Sequence, residues 1–182
     1  AEKLFLGQNR GSNNGQENES LFNTVKNILH KVSIQGDNAL IYFTKTYDGV
    51  SLDQIEISKS LMQRSIQSLD DVTKNAIILS SQRIHNFHEQ FMCKSWFNKD
   101  EGYGENFTPI EKVGIYIPSN LVSTVLMTVI PAKIAGVKEI YITTPPNDQG
   151  LPSPEILFAS QLTGITSIFT IGGSQAIAAF AF

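Results

Sequence analysis

The alternation of strands and helices after residue 111 constrains the fold of this chain more than any other feature. VGIYI, KEIYITT and SIFTI are short, apolar and rich in β-branched residues, which is typical of buried strands. STVLMTVIPAKIAG and SPEILFASQLTG lie between them and have the length and composition of helices. Short strand–helix–strand connections indicate an α/β fold with a parallel sheet that is covered by helices on both faces.

Start and stop signals mark the ends of these helices. Gly136 is expected to end the first one, and Ser153 is the predicted N-cap of the second. Pro154 then occupies the first helical position, and Gly164 is the C-terminal stop. Right-handed crossovers would place the loops that follow the strands at one edge of the sheet, where open α/β sheets bind their ligands.

The chain begins with a polar stretch and then becomes helical. Residues 1–19 are rich in Gly, Asn and Gln and carry too little apolar surface to offset the entropy of ordering, so we expect a mobile leader. A helical apolar period follows Ser20, the predicted N-cap. One helix face carries Leu21, Val25, Ile28, Leu29 and Val32.

Three more helices are expected in the first half of the chain. The first covers about Asp37–Thr46 and is followed by a turn at Asp48-Gly49. Ser58 and Asp70 are expected to begin the other two. The stretch from Trp96 has aromatic residues, glycines and charges without a helical period, which indicates an extended connector or a hairpin.

These patterns divide the chain into three parts. Residues 1–19 form the leader, 20–107 a mainly helical N-terminal region, and 108–182 a Rossmann-like half unit with parallel strands. The third strand and the last helix of this unit would leave apolar surface uncovered. We therefore expect an incomplete α/β cofactor-binding domain, as in a truncated chain or a split gene product.

Composition excludes several classes of function. The net charge of −3, without a basic run, gives no footprint for nucleic acid. The single cysteine, Cys93, excludes an internal disulfide and an all-cysteine metal site. No apolar run approaches the roughly 20 residues of a membrane-spanning helix, and no signal peptide is evident. We expect a protein of the reducing cytoplasm without membrane or nucleic-acid partners.

Gly172-Gly173 is the first candidate site. The pair follows the third strand and opens a helix, where glycines let backbone N–H groups approach an anionic ligand. A tight turn that needs positive φ or close packing explains the same pattern. The sequence contains neither the GxGxxG fingerprint of dinucleotide-binding proteins nor the GxxxxGK[ST] motif of the P-loop. No such motif therefore decides between a ligand-binding turn and a purely structural one.

YIPSN, at the end of the first strand, is the second candidate. Tyr116 lies within the strand, and Pro118 begins a loop that would reach the same edge as Gly172-Gly173. A tyrosine at this position is more often a core residue whose hydroxyl is satisfied locally.

RIHNFHEQF is a third candidate. His85 and His88 would share a helix face beside Glu89, a spacing that can hold a metal if further ligands come from elsewhere. The alternative is a half-buried helix with Phe87 and Phe91 facing the core. No Ser–His–Asp or Cys–His arrangement is evident in the sequence.

Several stretches together resemble histidinol dehydrogenases in order and approximate spacing, from about residue 20 to residue 182. They are GDNALIYFTKTYDG, IHNFHEQ, GENFTPIEKVGIYIP, STVLMTVIPAKIAGVKEI and IFTIGGSQAIAA. The resemblance implies an NAD-dependent, zinc-dependent homodimer of histidine biosynthesis with Rossmann-like domains. Such an enzyme oxidises L-histidinol to L-histidine by two successive hydride transfers, at active sites completed by both subunits.

The resemblance also assigns roles to residues at the predicted edge. A tyrosine of the first strand and a glutamine after the glycine pair contact NAD in this family, and they correspond to Tyr116 and Gln175. Pro118, Gly172 and Gly173 would shape the same edge. All five are therefore candidate cofactor-binding residues.

Two features depart from the family pattern. The family has a longer, PGG-type loop before STVLM, where this chain has the shorter SNLV, Ser119–Val122. The family's zinc ligands, its catalytic Glu–His pair and an Asn that contacts NAD all correspond to positions beyond residue 182. The resemblance thus assigns no catalytic and no metal-binding residue to this chain, which we expect to be inactive alone. The alternative is a non-catalytic α/β module for nucleotide binding or subunit assembly.

Overall fold

The computed structural model describes residues 14–182, with side chains from residue 18. Within this range seven helices and five strands are present. The helices are α1 (Asn14–Gln35), α2 (Asp37–Tyr47), α3 (Lys59–Ile66), α4 (Asp71–Glu89), α5 (Val122–Ile134), α6 (Pro154–Thr163) and α7 (Gly173–Ala181). The strands are β1 (Trp96–Asn98), β2 (Tyr103–Glu105), β3 (Lys112–Tyr116), β4 (Glu139–Thr143) and β5 (Ser167–Phe169).

The last three strands form the predicted parallel sheet, in the order β3-β4-β5. The α/β fold class is therefore confirmed. The strand β5 is shorter than SIFTI suggests because Thr170 leaves the sheet and donates its backbone N–H to the carbonyl of Ile55. An isolated antiparallel bridge between Glu56 and Phe169 borders the same strand.

The two faces of the sheet differ in chemistry. Paired residues of parallel strands share a face, so Ile115, Ile142 and Ile168 form one aliphatic row. This row packs in the main hydrophobic cluster with α5 and α6, and α3 and α4 pack on those helices in turn. The sheet and two helical layers thus share one core.

The other face carries aromatic and small residues. Tyr116, Thr143 and Phe169 form the row next to the carboxyl ends of the strands. The last helix, α7, runs back over β3, and the ring of Phe180 lies where a Cβ atom on Gly114 would stand. α1 and α2 cover α7 and build a second hydrophobic cluster.

Local signals place most of the predicted helix starts correctly. Ser58 Oγ accepts the backbone N–H of Leu61 at 3.3 Å, and Asp70 Oδ1 accepts that of Thr73 at 2.8 Å. α2 covers Asp37–Tyr47, as predicted.

The beginning of α1 differs from the prediction. The helix starts at Asn14, so Ser20 lies inside it and is not an N-cap. Ile28 and Val32 are buried as expected, but Leu21 is 63% exposed. The apolar period correctly predicts which face of α1 is apolar. That face packs against α7, which has only nine residues and therefore covers only part of it.

The sequence left an extended connector and a hairpin open for the stretch from Trp96, and the structure shows a hairpin in which β1 and β2 pair antiparallel. The expectation that Phe87 and Phe91 face the core is wrong, because these side chains are 60% and 66% exposed. α4 instead buries Ile77 and half-buries Ile84, which lie about three turns and about one turn before Phe87.

The predicted leader lies mostly outside the described residues, at positions 1–13, while 14–19 belong to α1. The division at residues 107 and 108 remains a prediction. No helix within residues 14–182 combines the length and the apolar content that a membrane crossing requires.

Candidate functional site at the carboxyl edge of the sheet

The loop after β3 brings the first candidate residues to the carboxyl edge. Tyr116 ends the strand and packs, half-buried, against the second hydrophobic cluster. Pro118 and the two residues after it are exposed. Asn120 has φ 64°, a left-handed conformation that asparagine tolerates better than most side chains do. Asparagine thus makes this short loop possible without glycine.

The loop after β5 contains the glycine pair, and the fold itself requires both glycines. A Cβ atom on Gly172 would lie 2.8 Å from Cγ of Pro145. Gly173 has φ 63°, and a Cβ atom there would lie 2.6 Å from Oε1 of Gln175. Close packing and positive φ therefore explain the pair locally, and a cofactor-binding role for these residues needs other support.

One hydrophobic cluster connects the end of β3 with α7. Tyr116 packs against this cluster, which contains Ile171, just before α7, and Ala176 and Ala178 within it. Gln175, in the first turn of α7, is 2% exposed. The strand β4 lies between β3 and β5, so the backward course of α7 over β3 is what brings this helix to β3.

The helices that open at this edge differ in their capping. Ser153 caps α6, and its Oγ accepts the N–H of Ile156 at 3.4 Å. Neither Leu121 before α5 nor Gly172 before α7 provides a side-chain cap, and neither helix has an acidic residue in its first turn. The first N–H groups of α5 and α7 therefore face the edge without a side-chain cap and without a carboxylate in the first turn. Such groups attract anions.

Thr143, which ends β4, and Thr144 after it support the site, although no motif in the sequence pointed to them. Thr143 is fully buried, and its Oγ1 donates to the carbonyl of Ile171 at 2.6 Å. Thr144 donates its backbone N–H to the carbonyl of Phe169. These bonds hold the segment before Gly172 against β4. Polar residues at the end of the otherwise apolar run KEIYITT are the signal that could have identified them.

A charged network occupies the opposite, amino end of the sheet. Lys112 Nζ lies 3.1 Å from Oε1 of Glu139, and the hydroxyl of Tyr141 donates to Oε2 at 2.6 Å. The hydrogen bond from Tyr141, followed by that from Lys112, lowers the pKa of the Glu139 carboxyl. The hydrogen bond to Glu139 likewise raises the pKa of Lys112. These charges satisfy one another at the end of the sheet where β3 and β4 begin.

The histidine pair of α4 does not join a metal site in the described part of the chain. His85 is exposed, and its Nδ1 lies 3.9 Å from Oε2 of Glu89. Across residues 14–182, no three His, Cys, Asp or Glu side chains cluster so that they could hold a metal ion.

An open parallel sheet with α5 and α6 on one face and α7 on the other is the architecture of a Rossmann-like α/β protein. The family model for histidinol dehydrogenase matches residues 12–182, and the chain belongs to this family.

Similar proteins agree with this assignment. The histidinol dehydrogenase of Bacteroides thetaiotaomicron is 42% identical over 171 residues, which cover 90% of this chain and 40% of that protein. The histidinol dehydrogenase of Clostridium acetobutylicum is 36% identical over 187 residues, covering 100% of this chain and 43% of its own length.

A solved structure extends the agreement to three dimensions. The crystal structure of histidinol dehydrogenase from Elizabethkingia anophelis superposes with a TM-score of 0.85 at 33% identity. The match covers 97% of this chain and 40% of that one. The chain thus spans about 40% of the length of the first relatives and of the solved structure.

Proposed function

We propose that this chain is the N-terminal portion of an NAD-dependent, zinc-dependent histidinol dehydrogenase that oxidises L-histidinol to L-histidine by two hydride transfers. One observation carries the proposal: in a member of this family, Tyr116 and the first turn of α7 pack in one cluster at the carboxyl edge of the sheet. We further propose the cytoplasm as its location and a homodimer as its assembly, both on the basis of family resemblance.

The residues at this edge fit a dinucleotide. The uncapped N-termini of α5 and α7 offer N–H groups to phosphate oxygens. Gln175, in the first turn of α7, is 2% exposed, so its amide contacts NAD only if it turns from Gly173 toward the edge, and Tyr116 lies half-buried at the end of β3. Pro118, Gly172 and Gly173 shape the backbone between these groups. NAD, when bound, accepts the hydride, and the residues of this chain bind and orient it.

The described residues do not fit zinc, because they contain no cluster of metal-ligating side chains. We therefore derive no step through zinc from this chain. The metal ligands and the acid–base residues that the proposed reaction needs must come from other residues.

The first test is the activity of the chain by itself. With L-histidinol, NAD and zinc supplied, we expect no formation of NADH above the background without protein. The full-length relative from Bacteroides thetaiotaomicron serves as the positive control under the same conditions. Turnover by the 182 residues alone would contradict the proposal that the chemistry lies elsewhere.

The second test measures NAD binding without any reaction. Calorimetric titration of the chain with NAD should give a binding signal that Gln175→Ala weakens. Gln161→Ala is the matched control, because this glutamine lies on the exposed side of α6. If NAD does not bind to the chain at all, the alternative of a non-catalytic assembly module is favoured.

A further inference from the structure

A cavity of about 260 Å³ lies between α3, the end of α6 and the start of β5. Its lining combines the buried aliphatic residues Ile57 and Ile168 with the exposed charged residues Glu56 and Lys59. Pockets for drug-sized ligands occupy about 300–1,000 Å³, so this cavity suits a smaller molecule. It lies at the amino end of β5, whereas the proposed NAD contacts lie at the carboxyl edge of the sheet.

The chain itself closes this side of the sheet. The N–H of Ile57 donates to the carbonyl of Ile168 at 2.9 Å, and the N–H of Thr170 donates to the carbonyl of Ile55 at 2.8 Å. These two hydrogen bonds tie the segment before α3 to β5. The walls of the cavity therefore all come from described residues, unlike an open apolar face that waits for a cover.

Two helix ends of opposite polarity line the cavity. α3 begins there with Ser58 and Lys59, and α6 ends there with Gln161 and Gly164. α3 has no acidic residue in its first turn, and α6 has no basic residue in its last turn. The positive end of one helix dipole and the negative end of the other thus act on one cavity, and neither helix offsets its own end with a charge.

The side chains add one charge of each sign. Glu56 and Lys59 both line the cavity, and neither forms an ion pair within the described part of the chain. A lysine in the first turn is unfavourable for the helix alone, because it adds a cation to the positive end of the dipole. Ser58 Oγ accepts the N–H of Leu61, which leaves the N–H groups of Lys59 and Ser60 available to an anion.

A buried hydroxyl in the lining has no partner. Ser160 is 0% exposed, and its Oγ forms no hydrogen bond with the described residues. Ser160 is one of the residues that line the cavity. A buried hydroxyl without a partner is unfavourable, so a polar ligand atom at this wall would satisfy it.

We propose that this cavity binds a free α-amino acid with an aliphatic side chain. The carboxylate lies at the N-terminus of α3 beside Lys59, and the ammonium group lies at the carbonyl end of α6 beside Glu56. The aliphatic side chain packs on Ile57 and Ile168. A zwitterion matches both ends of the cavity at once, whereas a simple anion or a simple cation matches only one.

L-Leucine is the probe for this site. Titration of L-leucine into the isotope-labelled chain should give saturable shifts of the amide NMR signals of Lys59, Ser60 and Gly164. 4-Methylpentanoate lacks the ammonium group of leucine, and 3-methylbutylamine lacks its carboxylate. Each should bind at least about tenfold more weakly, as expected for the loss of a hydrogen bond to a charged group.

Two substitutions test the charged residues of the lining. Lys59→Gln and Glu56→Gln should each weaken the binding of L-leucine about tenfold, for the same reason. Both side chains are exposed, so the fold should tolerate the changes. Lys94→Gln and Glu101→Gln are the matched controls, because these residues are exposed and lie outside the cavity.

The inference goes beyond the proposed function and does not rest on it. The titrations contain neither NAD nor histidinol, so their failure is distinguishable from failure of the proposed dehydrogenase role. Three results would overturn the proposal. One is the absence of saturable shifts at the cavity. Another is binding of either analogue as tightly as L-leucine. The third is an equal loss of affinity in the control variants.

Discussion

At the residue scale, Gly173 couples a backbone conformation to a side-chain position. Its positive φ lets the chain leave β5 and begin α7. The absence of a Cβ atom leaves space for the amide of Gln175, which folds back to this point. One glycine therefore affects both the stability of the turn and the position of a proposed NAD contact.

Gly173→Ala should lower the free energy of unfolding by about 1 kcal/mol, because alanine is strained at this φ. It should also weaken NAD binding, since the new methyl group would displace Gln175. Denaturant titration and calorimetry with NAD measure the two effects. Gly164→Ala is the control: φ is also positive there, but nothing lies within 4 Å of the added Cβ. An equal loss of NAD binding in both variants would contradict this account.

Asp48 gives a prediction of pH dependence. Burial raises the pKa of its carboxyl, and Oδ2 is buried without a hydrogen-bond partner. A raised pKa in the folded state stabilises the fold below the unfolded pKa, and this contribution is lost as the pH rises through the folded pKa. Asp48→Asn has no carboxyl group at this position and therefore does not lose this contribution. The free energy of unfolding of Asp48→Asn minus that of the parent chain should increase from acidic to neutral pH.

Urea titrations at several pH values measure this difference. Asp53→Asn, in the exposed loop that follows, is the matched control and should not share the trend. A stability difference between Asp48→Asn and the parent that stays constant across this pH range would contradict the assignment.

At the element scale, α6 shows how local signals and packing cooperate. Ser153 and Gly164 bound the helix, as the sequence predicts. Its apolar residues face both the sheet and the outer helices α3 and α4, so one side of the helix does not suffice to bury them. The helix is therefore held from two sides.

Leu157→Ala should cost about 2 to 5 kcal/mol of unfolding free energy, because Leu157 is fully buried and its removal leaves a cavity. Leu162→Ala changes the same residue type on the same helix at 40% exposure and should cost far less. Thermal or chemical denaturation compares the two. Similar losses would mean that α6 is not packed on both sides as described.

At the scale of the whole molecule, the helical region and the α/β unit share their cores. Ile57 and Ile77 belong to the same cluster as Ile140 and Ile142 of the sheet. We expect one cooperative unfolding transition, since neither part buries its apolar surface without the other.

Native-state hydrogen exchange tests this expectation. The most protected amides of α4 and of β4 should open with the same free energy. Clearly different values would support the predicted division at residues 107 and 108 as a boundary between two stable units.

The sequence by itself determined the elements of this protein. Cap residues such as Ser58, Asp70 and Ser153 act over three or four residues, so their signals can be read without the fold. The apolar strand runs and the helices between them predicted the parallel sheet. The resemblance to the family indicated Tyr116 and Gln175 as candidate NAD contacts.

Only the tertiary structure decided what covers each apolar face. It left Phe87 and Phe91 exposed, because burial depends on which elements pack over a face. It also gave Gly172 a packing role against Pro145 and placed Thr143 under the turn, through contacts between residues distant in the chain. Periodicity reports which side of an element is apolar, whereas only the fold supplies the partner that buries it.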